Sequence, residues 1–222
     1  MPRLFSILVL FTIIYSLSCS LAVGAREARQ GAGTLSLTEA EKAWLEEHQV
    51  IKVRISKNYP PFEFYQDGRY QGIAVDYLAV LGEKLGVRFE PSADMSWPDA
   101  LESIRRQNGA VDMVLVITYD PERESFLNFT NDYINFPGVI FTRKDGDFVS
   151  GVSDLSGLKI SMEKGYIDAE YIRRELSDVS FYEVETTEEA LLAVSTGKAE
   201  AYMGNVAVGT YFIDTLGLVN LK

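Results

Sequence analysis

The side chains that most often catalyse reactions or bind metals are scarce in this chain. Its 222 residues include one cysteine, Cys19, and one histidine, His48. A Cys/His zinc site, a disulfide framework or a catalytic Cys-His pair therefore cannot be built without an outside contribution. We expect no bound metal ion and no cofactor.

Two carboxylates, Glu63 and Asp120, remain as candidates for an acid and a base. Glu63 lies beside the double proline Pro60-Pro61, where a hydrogen-bonding or conformational role explains it better. No spacing in the sequence pairs the two carboxylates, although general acid–base catalysis needs groups held within reach of one substrate. We therefore predict no catalytic residues and no enzymatic activity.

The charge balance narrows the range of partners. The chain has 21 lysines and arginines against 32 aspartates and glutamates, a formal net charge of -11. Nucleic acids and anionic membrane surfaces repel such a chain. We therefore expect no nucleic-acid partner.

The first 25 residues have the pattern of an export signal. An uncharged apolar run of about twenty residues also suits the length of a membrane-spanning helix. Small residues at Val23-Gly24-Ala25 precede Arg26, so we favour a cleaved signal peptide over 1–25, with an uncleaved membrane anchor as the alternative. Lipidation at Cys19 is disfavoured because Ser16 stands where a lipoprotein signal has an aliphatic residue. With either alternative we expect a periplasmic protein.

Residues 26–49 are predicted as a linker and a short lead-in helix. Thr38 and Glu41 have the spacing of a capping box, in which the side chains at the two positions satisfy backbone N–H groups of the first turn.

From Val50 onward, short apolar strands alternate with amphipathic helices, a pattern typical of an α/β fold. A strand over 50–55 precedes a hairpin around Asp67-Gly68, a dipeptide that accepts the positive φ of a tight turn. A helix over 73–85 follows, and its predicted buried face consists of Tyr77, Leu78, Leu81 and Leu85. Further strands are predicted over 87–90, 111–117 and 138–142, with a helix over 96–106.

We divide this region into a first lobe over 50–142 and a second lobe over 143–222. The second lobe has predicted strands over 159–162, 181–184 and 201–204, and predicted helices over 168–176, 187–196 and 206–216. Open parallel sheets bind ligands at the carboxyl ends of their strands, so we expect a ligand cleft there.

Three motifs occur in the order of one known family. They are Tyr59-Pro60-Pro61-Phe62-Glu63-Phe64 with Gln71-Gly72-Ile73-Ala74-Val75-Asp76, then Asp120-Pro121-Glu122-Arg123 with Phe129-Thr130 and Tyr133, and finally Gly197-Lys198-Ala199-Glu200-Ala201-Tyr202 with Gly204-Asn205. Together they resemble the family 3 extracellular solute-binding proteins, which include the periplasmic proteins of amino-acid ABC importers and the Venus flytrap sensor domains of some bacterial membrane kinases. The resemblance implies a two-lobed, type 2 periplasmic-binding fold and a small-molecule ligand.

The same resemblance implies roles for individual residues. Arg123 falls on the arginine that clamps the ligand carboxylate in amino-acid-binding members, a task that suits the guanidinium fork. Tyr59 falls on the aromatic residue that covers the ligand. Further candidates for the ligand-binding site are Phe64, Trp97, Thr118, Tyr166 and Asn205. The Gly165-Tyr166 turn precedes a predicted helix whose first N–H groups can hold an anion.

Two residues depart from the family pattern. Asn205 stands where amino-acid-binding members usually have an aspartate that pairs with the ligand ammonium group, and a neutral amide cannot supply that charge. Asp120 replaces the usual threonine and adds a negative charge near the expected carboxylate site, unless it caps the helix. Both departures leave room for a small carboxylate or polar metabolite other than an α-amino acid.

The lead-in over 37–48 resembles that of sensor domains in hybrid histidine kinases. We therefore expect the sensing domain of a transmembrane signalling protein, with a membrane-bound kinase or output domain as its partner. A substrate-binding subunit of an ABC importer, with a permease as partner, is the first alternative, and a relative of dehydratases or lytic transglycosylases is the second. The family chain normally returns to the first lobe after the second, so we also expect that this return is missing after Lys222 and the second lobe is truncated.

Overall fold

The computed structural model describes residues 35–222. The predicted signal peptide, its cleavage site and Cys19 lie outside the described residues.

The helices and strands alternate along most of the chain. The helices are α1 (Glu39–Glu47), α2 (Ile73–Leu85), α3 (Trp97–Arg105), α4 (Ile167–Glu175), α5 (Thr187–Ser195) and α6 (Val206–Thr215). The strands are β1 (Val50–Arg54), β2 (Asn58–Tyr59), β3 (Glu63–Gln66), β4 (Arg69–Gln71), β5 (Arg88–Pro91), β6 (Met113–Val114), β7 (Gly138–Thr142), β8 (Lys159–Glu163), β9 (Ser180–Val184) and β10 (Ala201–Asn205). Short 3-10 turns occupy Arg123–Ser125 and Val152–Leu155.

The predicted capping box at the start of α1 is present. The Thr38 backbone N–H donates to the Glu41 carboxylate at 2.7 Å, and the Glu41 N–H donates to the Thr38 hydroxyl at 3.3 Å. These two bonds satisfy backbone donors that a helix start otherwise leaves free.

The first sheet has the strand order β5-β1-β6, and both of its pairings are parallel. Its third strand is much shorter than the predicted strand over 111–117. Beyond Val114, the Leu115 carbonyl accepts a hydrogen bond from the Tyr133 hydroxyl at 2.8 Å. The Tyr133 side chain therefore forms the hydrogen bond that the Leu115 carbonyl would accept from a neighbouring strand if β6 were longer.

A separate antiparallel sheet, β2-β3-β4, contains the predicted hairpin. Asp67 and Gly68 both have positive φ, 52° and 79°, as the tight turn requires. Gly72 ends the hairpin at φ 121°, where a Cβ would lie 2.3 Å from the Phe62 carbonyl oxygen. Only glycine allows α2 to begin this close to the hairpin.

The second sheet has the order β7-β10-β8-β9. Strand β8 pairs in parallel with β9 and β10, whereas β7 pairs antiparallel with β10 from Gly138 to Thr142. Residues 138–142 are predicted to belong to the first lobe, but this strand is a member of the second sheet. Local strand propensity does not identify the sheet that a strand joins, because the pairing partner lies far away in sequence.

Helices cover the two main sheets unequally. One core cluster includes residues of α5 and α6, such as Leu191 and Phe212, and a second includes Ile160 of β8 and Ile172 of α4. Helix α2 beside the first sheet buries only Ala74 and Leu78. The predicted buried face of this helix is therefore wrong in part: Tyr77 is 51% exposed and Leu81 is 36% exposed. The helical period places these side chains on one face, but the packed neighbours determine how much of that face is covered.

Within residues 35–222, every helix is too short or too polar to cross a membrane.

Candidate functional site

Parallel strands of the two main sheets end at a shared cavity of about 370 Å³. Arg54, the last residue of β1, lines it from the first sheet, and Lys164, directly after β8, lines it from the second. The full lining is Arg54, Ser56, Lys57, Asn58, Asp94, Met95, Ser96, Trp97, Pro98, Lys164, Tyr166, Glu185, Thr186 and Thr187. A concave site at the carboxyl ends of parallel strands is the arrangement in which open α/β sheets bind ligands.

Three aromatic side chains meet beside this cavity. The rings of Tyr59 and Tyr166 have centroids 6.4 Å apart, and the rings of Trp97 and Tyr166 are also 6.4 Å apart, both pairs edge to face. The indole N–H of Trp97 donates to the Gly165 carbonyl at 3.2 Å. Burial raises the pKa of Tyr59 and of Tyr166 well above the usual range, so both phenols stay neutral.

Arg123 is buried next to this aromatic group, with 8% of its surface exposed. One guanidinium nitrogen donates to the Thr118 carbonyl at 3.2 Å, and the guanidinium carbon lies 5.8 Å from the centre of the Trp97 ring. Burial lowers the pKa of Arg123, while nearby Asp120 and Asp168 raise it. An arginine remains charged under these conditions.

Asp168, in the first turn of α4, brings a carboxylate toward Arg123. Burial raises the pKa of Asp168, and the positive charge of Arg123 opposes that rise. Asp120 is also buried, and one of its carboxylate oxygens accepts from the Glu122 N–H at 2.9 Å. The arginine predicted to clamp a ligand carboxylate is therefore near two carboxylates of the protein itself.

Two buried glutamates lie close to the tyrosines of the site. Glu163, 1% exposed, accepts hydrogen bonds from the Thr187 hydroxyl at 2.5 Å and the Tyr202 hydroxyl at 2.9 Å through one oxygen. Glu63, 3% exposed, has one oxygen 3.4 Å from an Arg54 nitrogen. In each carboxyl group the other oxygen is buried and has no hydrogen-bond partner among the described residues. Burial raises the pKa of both glutamates to about 7, which makes the protonated form accessible near neutral pH.

Two ion pairs lie among the residues that line the cavity. Lys57 pairs with Asp94 at 2.5 Å, and Lys164 pairs with Glu185 at 2.5 Å. All four side chains are about half exposed or more. Each cation has an anion beside it, so these pairs leave little net charge on that part of the lining.

The structure brings together four of the residues predicted for the site: Tyr59, Trp97, Arg123 and Tyr166. The side chains of the other three make different contacts. The ring of Phe64 packs at 6.5 Å from Tyr211 of α6. Thr118 is exposed and reaches Arg123 through its backbone carbonyl.

Asn205 is the third residue outside the group. Its side-chain oxygen accepts from the backbone N–H groups of Ala207 at 2.9 Å and Val208 at 3.4 Å. The side chain therefore caps the start of α6, a role for which asparagine is well suited. All seven ligand-binding assignments remain predictions.

Arg54, Glu163 and Asp168 also lie at this site but are not among the residues predicted from the sequence. Arg54 and Glu163 are the last residues of β1 and β8, so a search for charged residues within one position of the predicted strand ends would have found both. Asp168 lies at a predicted helix start, where an acidic residue is common and gives no separate signal. In the part of the chain that the structure describes, no group of three or more His, Cys, Asp or Glu side chains is arranged to hold a metal ion.

A family model described as bacterial extracellular solute-binding proteins, family 3, matches residues 51–207 of this chain. Among curated proteins, virulence sensor protein BvgS of Bordetella pertussis is 25% identical over 175 residues, which are 78% of this chain and 14% of the relative. A probable histidine-binding protein of Campylobacter jejuni is 25% identical over 202 residues, which are 89% of this chain and 71% of that relative. The chain thus spans a small part of the sensor and most of the binding protein.

The fold also matches a solved structure. A histidine kinase sensor domain with similarity to periplasmic binding proteins is 26% identical, with a TM-score of 0.70, and the match covers 80% of this chain and 77% of that one. This likeness confirms the predicted α/β fold of the periplasmic-binding-protein type.

Proposed function

The chain belongs to the bacterial extracellular solute-binding proteins of family 3, and from this premise we propose that it is a periplasmic small-molecule binding module. We propose further that it is the sensing domain of a transmembrane signalling protein. Its partner is then a membrane-bound kinase or other output domain, and its N-terminal 25 residues are the export signal.

The observation that carries this proposal is the cavity between the carboxyl ends of strands from two sheets. Arg54 and Trp97 reach it from the first sheet and its helix α3, whereas Tyr166 and Thr187 reach it from the second. A ligand in this position contacts both sheets, so it favours the arrangement in which both contacts are made. Ligand binding is thereby coupled to the relative position of the two lobes.

The lining favours a small polar ligand. A volume of about 370 Å³ is near the lower end of the range for small-molecule sites, and aromatic walls with a few polar groups are typical of them. Arg123 is the candidate for a ligand carboxylate, but Asp120 and Asp168 compete for its charge. Asn205 is engaged as a helix cap. We therefore propose an amino acid or another small carboxylate as the ligand class, with an ordinary α-amino acid disfavoured.

A substrate-binding subunit of an ABC importer is the second candidate. It is favoured by the histidine-binding relative, since this chain covers 71% of that protein. The sensor is preferred because BvgS and the histidine kinase sensor domain are matched at similar identity and because the lead-in over 37–48 resembles that of sensors. The two candidates share the binding chemistry and differ in the protein that responds to closure.

We do not propose catalysis. The two carboxylates considered as an acid and a base each have a local partner: Glu63 is next to Arg54, and Asp120 accepts from the Glu122 N–H. Conversion of a hydroxy acid by the purified protein would contradict this view.

Calorimetric titration with a panel of amino acids and small carboxylates tests the binding function. We expect at least one compound to bind with a 1:1 stoichiometry. Arg123→Ala should weaken the binding of a carboxylate by about tenfold or more, because a hydrogen bond to a charged group contributes roughly 1.5–3 kcal/mol.

Arg106→Ala is the matched control. Arg106 follows α3, is exposed and pairs with partly exposed Glu102 at 2.7 Å, and neither residue lines the cavity. Its removal should leave affinity unchanged. Equal affinities for Arg123→Ala and the unmodified protein would remove the clamp assignment, and no binding of any compound in the panel would count against the ligand class.

The genes next to this one distinguish the two candidates. A kinase or cyclase domain encoded in the same reading frame would support the sensor. A neighbouring permease and ATPase would support the importer subunit and contradict the sensor proposal.

A further inference from the structure

Trp97, the first residue of a helix in the first lobe, has contacts that extend into the second lobe. It belongs to α3, beside the first sheet, yet its indole N–H donates to the carbonyl of Gly165, which follows β8 of the second sheet. Its ring also meets the ring of Tyr166, the next residue. One side chain of the first lobe therefore contacts both the backbone and a side chain of the second.

Two arginines of the first lobe hold the Trp97 ring in this position. The guanidinium carbon of Arg54 lies 5.4 Å from the ring centre, and that of Arg123 lies 5.8 Å from it. Cations at this distance over an indole are attracted by the ring quadrupole, most strongly where water is excluded. Arg123 is largely buried. The Trp97 ring is thus held by two first-lobe arginines while its N–H bonds to the second lobe.

The second lobe is shaped to receive this side chain. Gly165 has φ 74°, and a Cβ at this position would lie 3.1 Å from Pro98 and 3.6 Å from the Trp97 ring. A glycine therefore supplies both the left-handed backbone and the space that lets the two lobes approach. With any larger residue, α3 and the turn after β8 could not come this close without a shift.

Further contacts across the cleft also hold the two lobes together. The Tyr59 ring meets the Tyr166 ring, and an Arg174 nitrogen of α4 lies 3.9 Å from an Asp120 oxygen. The charge of Asp168 in α4 acts on Arg123. All of these groups belong to the protein itself, so the energy that they contribute to closure does not depend on a ligand.

We infer that Trp97 is a built-in latch: its indole bridges from the first lobe to Gly165 and Tyr166 and stabilises the closed arrangement of the two lobes without a ligand. A ligand then acts on a module that is already closed, either by tightening it or by displacing the indole. The inference rests on the proposed two-lobed function only in assuming that the lobes can separate.

Electron–electron distance measurement between spin labels on the two lobes tests the latch. The exposed residues Lys84 of α2 and Glu175 of α4 are replaced by labelled cysteines in the full chain, with Cys19→Ser to remove the native thiol. The ligand-free protein should show a single short distance that agrees with this structure. Trp97→Ala should add a longer distance, because the closed-to-open ratio falls by about tenfold or more when the hydrogen bond and the ring contacts are lost.

Two further variants separate the contribution of the indole hydrogen bond from that of the close approach at Gly165. Trp97→Phe keeps an aromatic ring but removes the N–H, so the ratio should fall by about fivefold, the value of one neutral hydrogen bond. Gly165→Ala keeps the indole but obstructs its approach, and it should lengthen the distance as well. Circular dichroism checks that each variant is folded. If Trp97→Ala does not fold, Trp97→Phe and Gly165→Ala still test the latch.

The control variant also replaces one tryptophan by phenylalanine, but outside the latch. Trp44→Phe alters the other tryptophan, which lies in α1, and should leave the distance unchanged. A long distance in the ligand-free, unmodified protein would overturn the latch, and so would a short distance that persists in all three latch variants. Failure of the proposed function has a different signature, since it would be an absence of ligand binding with the distances as expected.

Discussion

The two main sheets of this protein differ in how completely their helices are buried. Helix α5, beside the second sheet, has nine residues, of which five are buried. Helix α2, beside the first sheet, has thirteen residues, of which two are buried. Apolar side chains are present in α2 but stay exposed at Ile73, Tyr77, Val80 and Leu81. The difference shows that an apolar helix face contributes to stability only as far as another element packs against it.

The same leucine-to-alanine substitution, made once in each helix, should give the largest difference in stability. Leu191→Ala in α5 should lower the free energy of unfolding by about 3 kcal/mol, because Leu191 is fully buried and its removal leaves a cavity. Leu81→Ala in α2 should lower it by only about 0.5 kcal/mol, since the side chain is 36% exposed. Urea unfolding followed by circular dichroism measures both. Equal losses would mean that α2 is covered by another part of the protein in solution.

The two buried glutamates give the next test: Glu163 ends β8 of the second sheet, and Glu63 begins β3 of the hairpin sheet. The pKa of Glu163 is raised to about 7 by burial, so between about pH 4.5 and 7 folding takes up a proton. The stability that this proton contributes is complete below about pH 4.5 and is lost as the pH rises through 7. Glu163→Gln removes this dependence and should raise the stability at pH 8 by up to roughly 3 kcal/mol, because the ionised carboxylate that burial disfavours is then absent.

Glu63→Gln is the matched comparison. The pKa of Glu63 is also raised to about 7 by burial, but the nearby Arg54 lowers it. Neutralising Glu63 leaves the Arg54 guanidinium, whose side chain is 14% exposed, without its partner. The gain at pH 8 should therefore be smaller than for Glu163→Gln. Thermal unfolding at pH 5 and pH 8 measures both variants, and a larger gain for Glu63→Gln would contradict this account.

The helix caps give the smallest expected difference between two matched variants. The Thr186 hydroxyl accepts from the Glu189 N–H at 3.2 Å at the start of α5, and the Ser96 hydroxyl accepts from the Asp99 N–H at 3.3 Å at the start of α3. Each substitution by alanine should cost about 1 kcal/mol. Because the caps are similar, the two losses in urea unfolding should be nearly equal, unlike those of the leucine pair. A twofold larger loss at Thr186 would show that cooperative packing of the second sheet adds to the cap.

Local features were predicted well because they depend on neighbours in sequence. The turn at Asp67-Gly68 and the helix start at Ser96 lie where the residue types indicate them. Each depends on a positive φ or on a hydrogen bond within a few residues. The family motifs likewise indicated the fold, which the solved sensor domain confirms.

Features that depend on distant residues were predicted less well. The sequence pattern identified 138–142 as a strand but not its place beside β10, and it identified the face of α2 but not its exposure. For the site, it selected Tyr59, Trp97, Arg123 and Tyr166, which do meet. It did not find Glu163 or Asp168, whose raised pKa values arise from burial that a sequence does not display.

The sequence by itself determined the family, the alternation of strands and helices, and the absence of enough cysteine or histidine for a zinc site or a disulfide. These follow from residue types and from spacings of a few positions. Only the tertiary structure decided that the Trp97 indole reaches the Gly165 carbonyl, 68 residues away, and that two carboxylates lie near Arg123. Such contacts depend on how two sheets are packed together, and that packing is set by the whole core at once.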